Sequence, residues 1–186
     1  MKNKRNIKWL LLIVFAFAVM SGGSSGCGGS GDGDISETRA RELIAPFYEL
    51  FMSSKWEETA GVRDFDEGFK NRRDDWLSYD FNPIDGKEKE PNDIADTEFF
   101  LGYLMFPGIP NLDVEILWLR VVGDWIIVRS ELTGTFLGPE YLGIPVGPNP
   151  FAIMALDYHR VDENGKLVEL YHAEHWADAV VQSNTP

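Results

Sequence analysis

Only one cysteine, Cys27, occurs in 186 residues. It excludes an intramolecular disulfide and any cysteine-rich metal site. Basic residues are also scarce: 17 Lys and Arg face 30 Asp and Glu, a formal charge of −13. Lys2, Lys4, Arg5 and Lys8 lie in residues 1–26, which hold no acid, so the rest of the chain carries 13 basic against 30 acidic residues, or −17. A surface of that sign repels phosphate backbones and anionic lipid, which argues against a nucleic-acid partner and against membrane binding by the folded part. There are three histidines. His172 and His175 are three apart on a strand and so face opposite sides, leaving no imaginable imidazole pair there for a metal. Long apolar runs are missing too. The run Trp9–Met20 has twelve residues, short of the about 20 that span a bilayer. What is present is 44% apolar and 13% aromatic content, enough for one folded domain with a proper core.

The first 35 residues read as an address. A basic start, the apolar run and then small residues are the layout of a secretory signal peptide, assigned to 1–26. Ser24-Ser25-Gly26-Cys27 resembles a bacterial lipobox, in which the cysteine is lipidated and becomes the mature N-terminus, although Ser24 stands where an aliphatic residue is usual. A flexible Gly/Ser/Asp tether follows over 27–35. Exported and lipid-anchored at Cys27 is therefore the expectation, with cleavage after Ala16-Phe17-Ala18 and release as the alternative. Gly22-Gly23-Ser24-Ser25-Gly26 fits the G-x-S-x-G pattern, but no strand precedes it and no helix follows, so it carries no nucleophile.

Residues 36–182 form the domain. Ser36 is a fair N-cap and Glu37 suits the positive end of a helix. Ala40, Leu43, Ile44, Phe47, Leu50 and Phe51 recur at helical spacing, with Pro46 interrupting. Short helices are predicted over Trp56–Val62 and Phe65–Leu77. A polar loop is predicted over Asp80–Asp93, then a helix capped by Asn92 or Asp93 and stopped by Pro107-Gly108. Beyond it the text changes period. Val114–Val122 and Trp125–Leu132 are β-rich and split by the hairpin signal Gly123-Asp124. Phe151–Val161 is a third strand, and Asn164-Gly165 turns into a fourth, Leu167–Trp176. Alternation places Trp125, Ile127, Arg129, Glu131 and Thr133 on one face, and Ile126, Val128, Ser130 and Leu132 on the other. It groups Ile153, Ala155, Asp157 and His159, and likewise Leu170, His172, Glu174 and Trp176. Helices followed by antiparallel strands indicate an α+β domain.

The strings Gly-Asp-Trp-Ile-Ile-Val-Arg, Leu-Thr-Gly-Thr, Leu-Gly-Ile-Pro, Asp157-Tyr-His-Arg and Gly165-Lys-Leu-Val-Glu, in that order, resemble the SnoaL-like polyketide cyclase (ester cyclase) family. The resemblance covers about 37–182. It implies the nuclear transport factor 2-like fold, a cone of curved antiparallel sheet packed on N-terminal helices with an internal pocket, and by analogy a homodimer through the outer sheet face. Function does not follow from the fold, which hosts cyclases, hydrolases, isomerases and non-catalytic binders.

Enzymes of that family use a carboxylate in the motif Gly-Lys-Ile-Val-Glu-His-Trp-Asp. Here the text reads Gly165-Lys166-Leu167-Val168-Glu169-Leu170-Tyr171-His172, so the family's histidine is Leu170 and its aspartate is His172. An imidazole also serves as a general base near neutral pH. Arg129 and Glu131 form an Arg-x-acid pair like that of epoxide hydrolases of this fold. A pocket holding Arg129, Glu131, Asp157 and His172 would supply a base, an orienting acid and an oxyanion-stabilising cation, the set for proton abstraction beside a carbonyl and aldol closure. Tyr48, Trp125, Tyr158 and Glu174 are candidate ligand contacts. The set needs no cofactor and no metal. The structural alternative is a buried Arg129–Glu131 ion pair with His172 a core histidine, on an envelope-tethered module that binds a small apolar molecule without turnover.

Overall fold

The computed structural model describes residues 35–58, 62–80 and 90–185. The expected signal peptide, most of the tether with Cys27, and most of the polar loop lie outside the described residues. No described helix is long and apolar enough to cross a membrane.

Helix α1 spans Glu37–Glu49, and Ser36 caps it as expected, its hydroxyl accepting from the Arg39 N–H at 3.1 Å. Its stripe Ala40, Leu43, Ile44, Phe47 and Tyr48 is buried. Each of the larger apolar side chains contributes about 1.5–3 kcal/mol by leaving water. The helix runs through Pro46, whose missing N–H frees the Glu42 carbonyl four residues back. The Asn71 side chain supplies the replacement, donating to Glu42 O at 3.2 Å and Leu43 O at 2.9 Å. Helix α2 is Ser53–Glu58, not Trp56–Val62: Val62 is not helical, and 59–61 lie outside the described residues.

The predicted helix Phe65–Leu77 is corrected. Helix α3 covers only Phe65–Phe69, and strand β1 follows at Arg72–Asp80. β1 pairs parallel with a strand some ninety residues later, Leu77 against Glu169 and Asp80 against His172. That tertiary partner overrides the local helical spacing. Asp93 caps helix α4, Ile94–Phe100. The chain continues as a π turn, Leu101–Met105, in which the Phe106 N–H reaches Leu101 O, and ends in the short α5, Phe106–Gly108. Pro107 has no N–H to extend the regular ladder, so the turn before it loosens.

Strands β2 (Asp113–Val122), β3 (Trp125–Gly134) and β6 (Phe151–Val161) fall where alternation puts them. Gly123 at φ +61° and Gly165 at φ +74° make the two hairpin turns that L side chains rarely allow. A small hairpin, β4 (Glu140–Tyr141) with β5 (Ile144–Pro145), bridges β3 and β6 in sequence. Strand β7 is Leu167–Glu174, and Trp176 opens a helix, α6 (Trp176–Asn184), rather than ending the strand. The sheet order is β1-β7-β6-β3-β2. All pairs are antiparallel except β1 with β7, so the sheet is mixed at one edge. Helix α1 lies on the inner face, where Ile126, Val128, Leu132, Ile153 and Leu170 join its stripe in the core. Outside, Tyr79 stacks on Tyr171 at 4.5 Å and Trp125 leans on Tyr171 at 5.8 Å.

Candidate active site

Two rungs of the sheet set the site. In one, Asp80 on β1 pairs with His172 on β7, and His172 pairs with Asp157 on β6. In the next, Glu174 on β7 pairs with Ala155 on β6, which pairs with Ser130 on β3. All of these residues line a cavity of about 470 Å³ between the inner sheet face and the helices. Its walls are apolar: Phe47 and Phe51 near the first helix, Phe100, Leu104 and Met105 around the π turn, and Leu132 on β3. Glu90 and Asp96 line it toward solvent.

Tyr48 links α1 to the sheet. Its hydroxyl donates to Asp157 Oδ2 at 2.5 Å and sits 3.2 Å from His159 Nε2. A phenol has one proton, which goes to the carboxylate, so His159 donates through Nε2–H and keeps Nδ1 bare. Burial first, then Arg72 and His172, holds His159 well below its ordinary value, so the ring is neutral. Burial pushes the Tyr48 phenol well up, reinforced by Asp157. Asp157 is itself pushed up to about 6 by burial; the Tyr48 hydrogen bond and His172 oppose the shift. Its Oδ1 has no hydrogen-bond partner from Tyr48 and remains for a ligand.

His172 goes the other way. Burial works against its charge, but Glu174, with Oε2 3.5 Å from Nδ1, and then Asp157 and Asp80 outweigh it and raise the ring to about 9. It is an imidazolium at neutral pH, with Nε2–H left over from the Glu174 contact. Burial pushes Glu174 up, but His172 and the Trp176 indole N–H at 2.8 Å bring it below its ordinary value. The site thus pairs a weakly basic carboxylate with a protonated imidazole.

Behind Tyr48 lies Arg72, buried, its guanidinium over the rings of Phe47, Phe69 and Trp76 at 4.1, 4.6 and 4.7 Å. It donates to Gly68 O at 3.1 Å. Burial lowers it to about 9.

Of the candidates read from sequence, Asp157, His172, Tyr48 and Glu174 converge on the cavity. Arg129 and Glu131 do not: both are exposed on the outer face of β3, where Arg129 pairs with Leu156 and Glu131 with Met154. Trp125 and Tyr158 share that outer parity and are likewise outside. The buried Arg129–Glu131 ion pair of the structural alternative falls with them. The site includes two residues that the sequence reading left unused, His159 and Ser130. Both were visible by alternation, His159 two residues from Asp157 and Ser130 as the polar break in an apolar row. Among the described residues no His, Cys, Asp and Glu side chains are grouped as metal ligands.

A curved, unclosed sheet wrapped on helices around an inner pocket defines the class: the chain has the nuclear transport factor 2-like fold, which is also the ketosteroid isomerase-like fold. Solved structures of similar fold include a SnoaL-like protein, polyketide cyclase candidates and a ketosteroid isomerase-like protein. A candidate SnoaL-like polyketide cyclase from Jannaschia superposes with a TM-score of 0.62 at 16% identity, over 86% of this chain and 99% of that one. IdmH from Streptomyces antibioticus, a candidate polyketide cyclase, gives 0.60 at 19% identity over 77% and 97%. A ketosteroid isomerase-like protein from Catenulispora acidiphila, solved with trimethylamine, gives 0.58 at 14% over 78% and 94%. At these identities the likeness is one of fold. No protein-family model matches the sequence, and no curated protein matches it.

Proposed function

We propose that this pocket performs acid–base chemistry on a mainly apolar, enolisable carbonyl compound. The observation that carries the reading is the pairing of Asp157 with an imidazolium His172 at opposed positions of β6 and β7 on one cavity. Asp157 Oδ1 removes a proton from the carbon beside the carbonyl. His172 Nε2–H holds the carbonyl oxygen as negative charge develops there. Tyr48 keeps Asp157 oriented through Oδ2. When the same molecule carries a second carbonyl, the enolate carbon attacks it, a carbon–carbon bond closes the ring, and the new alkoxide takes a proton. The class of reaction is that of the polyketide cyclases among the structural neighbours. Asp157 must be ionised and His172 protonated, so the rate is highest between about 6 and about 9.

The test is deuterium uptake at the carbons beside the carbonyl of 6-phenylhexan-2-one in D2O, followed by NMR. Uptake above the buffer rate, bell-shaped in pH and lost in Asp157→Asn, is expected. No uptake, or uptake indifferent to Asp157→Asn and His172→Gln, sinks the reading. A binding role without turnover has one observation in its favour: Tyr48, Glu174 and Trp176 already satisfy much of the site's hydrogen-bonding capacity. Native mass spectrometry of protein from its own host tests it, since a small molecule released unchanged supports binding alone.

We also propose export and lipid anchoring at Cys27, on the apolar run and the lipobox-like Ser24–Cys27. Metabolic labelling with a palmitate analogue should mark wild type and spare Cys27→Ser; equal labelling of both refutes it.

A further inference from the structure

The inner face of β3 is apolar at Ile126, Val128 and Leu132, all buried, and polar only at Ser130. Ser130 is 1% exposed, and its Oγ has no hydrogen-bond partner among the described residues. A buried hydroxyl left alone costs about 1–3 kcal/mol, so such groups are nearly always satisfied. Ser130 lines the cavity, and nothing in the Tyr48–Asp157–His159 chain or the His172–Glu174 pair uses it.

Its place in the register gives it a use. Ser130 sits opposite Ala155, and Ala155 opposite Glu174. Ala155 is the smallest side chain on this rung, and it leaves floor space between a hydroxyl and a carboxylate. Asp157 pairs with Val128 and is therefore Ser130's diagonal neighbour, at about 7–8 Å in such sheets. A ligand group resting over Ala155 lies within reach of Ser130 and next to the base. Glu174 is ionised and only accepts, so Ser130 is the donor on that floor.

We infer that Ser130 and the floor at Ala155 form a second oxygen subsite, which selects a dicarbonyl substrate by hydrogen-bonding the carbonyl that is attacked. The inference rests on the acid–base reading above and names its substrate class. The enolised carbonyl lies at His172 and the electrophilic one at Ser130. Asp157 takes the proton from the nucleophilic carbon, the new bond forms between that carbon and the second carbonyl carbon, and the electron pair moves to the oxygen at Ser130. The Ser130 hydroxyl donates a hydrogen bond to that alkoxide, and the proton that Asp157 took from carbon is returned to it, so the base is regenerated and no buried charge is left.

The experiment compares two ligands that differ by one oxygen, 1-phenylhexane-1,5-dione and 6-phenylhexan-2-one. Affinities are read by ligand-observed NMR at pH 5, where Asp157 is protonated and turnover is suppressed. Ser130→Ala should weaken the dione about fivefold, the effect of one neutral hydrogen bond, and leave the monoketone's affinity as it was. Urea unfolding of the same variant without ligand should show stability equal to or above wild type, because an unsatisfied buried hydroxyl has been removed. Equal weakening of both ligands, no weakening of the dione, or a clear loss of stability in Ser130→Ala overturns the inference. A lack of deuterium uptake by the monoketone sinks the acid–base reading instead, so the two failures are separable.

Discussion

Replacing Asp157 by Asn should stabilise the protein above neutrality while abolishing its chemistry. The ordinary aspartate value is 3.8 and the folded value about 6. Below 3.8 both states hold the proton and the carboxyl is neutral everywhere. Between 3.8 and 6 the unfolded chain releases its proton and the folded one does not, so stability falls as pH rises. Above 6 the full cost stands, about two units at about 1.4 kcal/mol each, or about 3 kcal/mol. Asparagine never ionises, and its Oδ1 still accepts the Tyr48 hydrogen bond. The attraction to His172 is already contained in the folded value of about 6, so the expected gain at high pH stays at about 3 kcal/mol. The assay is urea unfolding of wild type and variant at pH 4 and pH 7.5. Titration of other carboxylates cancels in the difference between the two proteins. The variant should match wild type at pH 4 and exceed it at pH 7.5. A difference that is the same at both pH values refutes the argument, because it would mean that Asp157 titrates alike in the folded and unfolded chains.

His172 has the opposite charge type and a later window. Its stabilising contribution is present below 6.5 and lost as pH rises through about 9, so His172→Gln should cost about 3 kcal/mol at pH 6 and little at pH 10; a constant cost across that range, measured by urea unfolding, contradicts it. Asn71→Ala should cost about 1 kcal/mol by orphaning the Glu42 carbonyl, and less in a Pro46→Ala background, where the restored N–H reclaims that carbonyl; an additive double-mutant cycle would show that the two residues are unconnected. Arg129→Gln and Glu131→Gln should each change stability by under about 0.5 kcal/mol and leave deuterium uptake at the wild-type rate, since both side chains face solvent away from the cavity.

Local pattern carried the sheet far. Gly123-Asp124 and Asn164-Gly165 marked the two hairpins, and β6 has the bounds that alternation gave it. What alternation cannot supply is the sign of a face. It separates Arg129 and Glu131 from Val128 and Ser130, but only a packing partner decides which set looks inward, and α1 packs against the apolar set. The same limit hid β1. Arg72-Arg73-Asp74-Asp75 has little strand character, and the segment is extended because β7 accepts it at the sheet edge. Tyr48 was a candidate contact by residue type alone, since its link to Asp157 spans 109 positions and no short-range pattern reports a contact of that separation.

The substitution at position 172 takes on a different meaning once the register is known. Along the chain, an imidazole stands where the resembled motif has a carboxylate, which reads as a missing base. Across the sheet, the residue paired with His172 is Asp157, and both line the cavity. A carboxylate is therefore still present, one strand over. The imidazole at 172 holds a positive charge at neutral pH beside Glu174 at 3.5 Å, a charge that a carboxylate there could not supply. An acid at position 172 would stand between Asp80 and Asp157 and would repel both. An acid opposite an imidazolium instead lowers the cost of ionising Asp157, whose value settles at about 6 rather than higher. On this arrangement His172→Asp, which matches the resembled motif, should raise Asp157 further and move the onset of deuterium uptake to higher pH. An onset left unchanged in that variant would show that the two positions titrate independently.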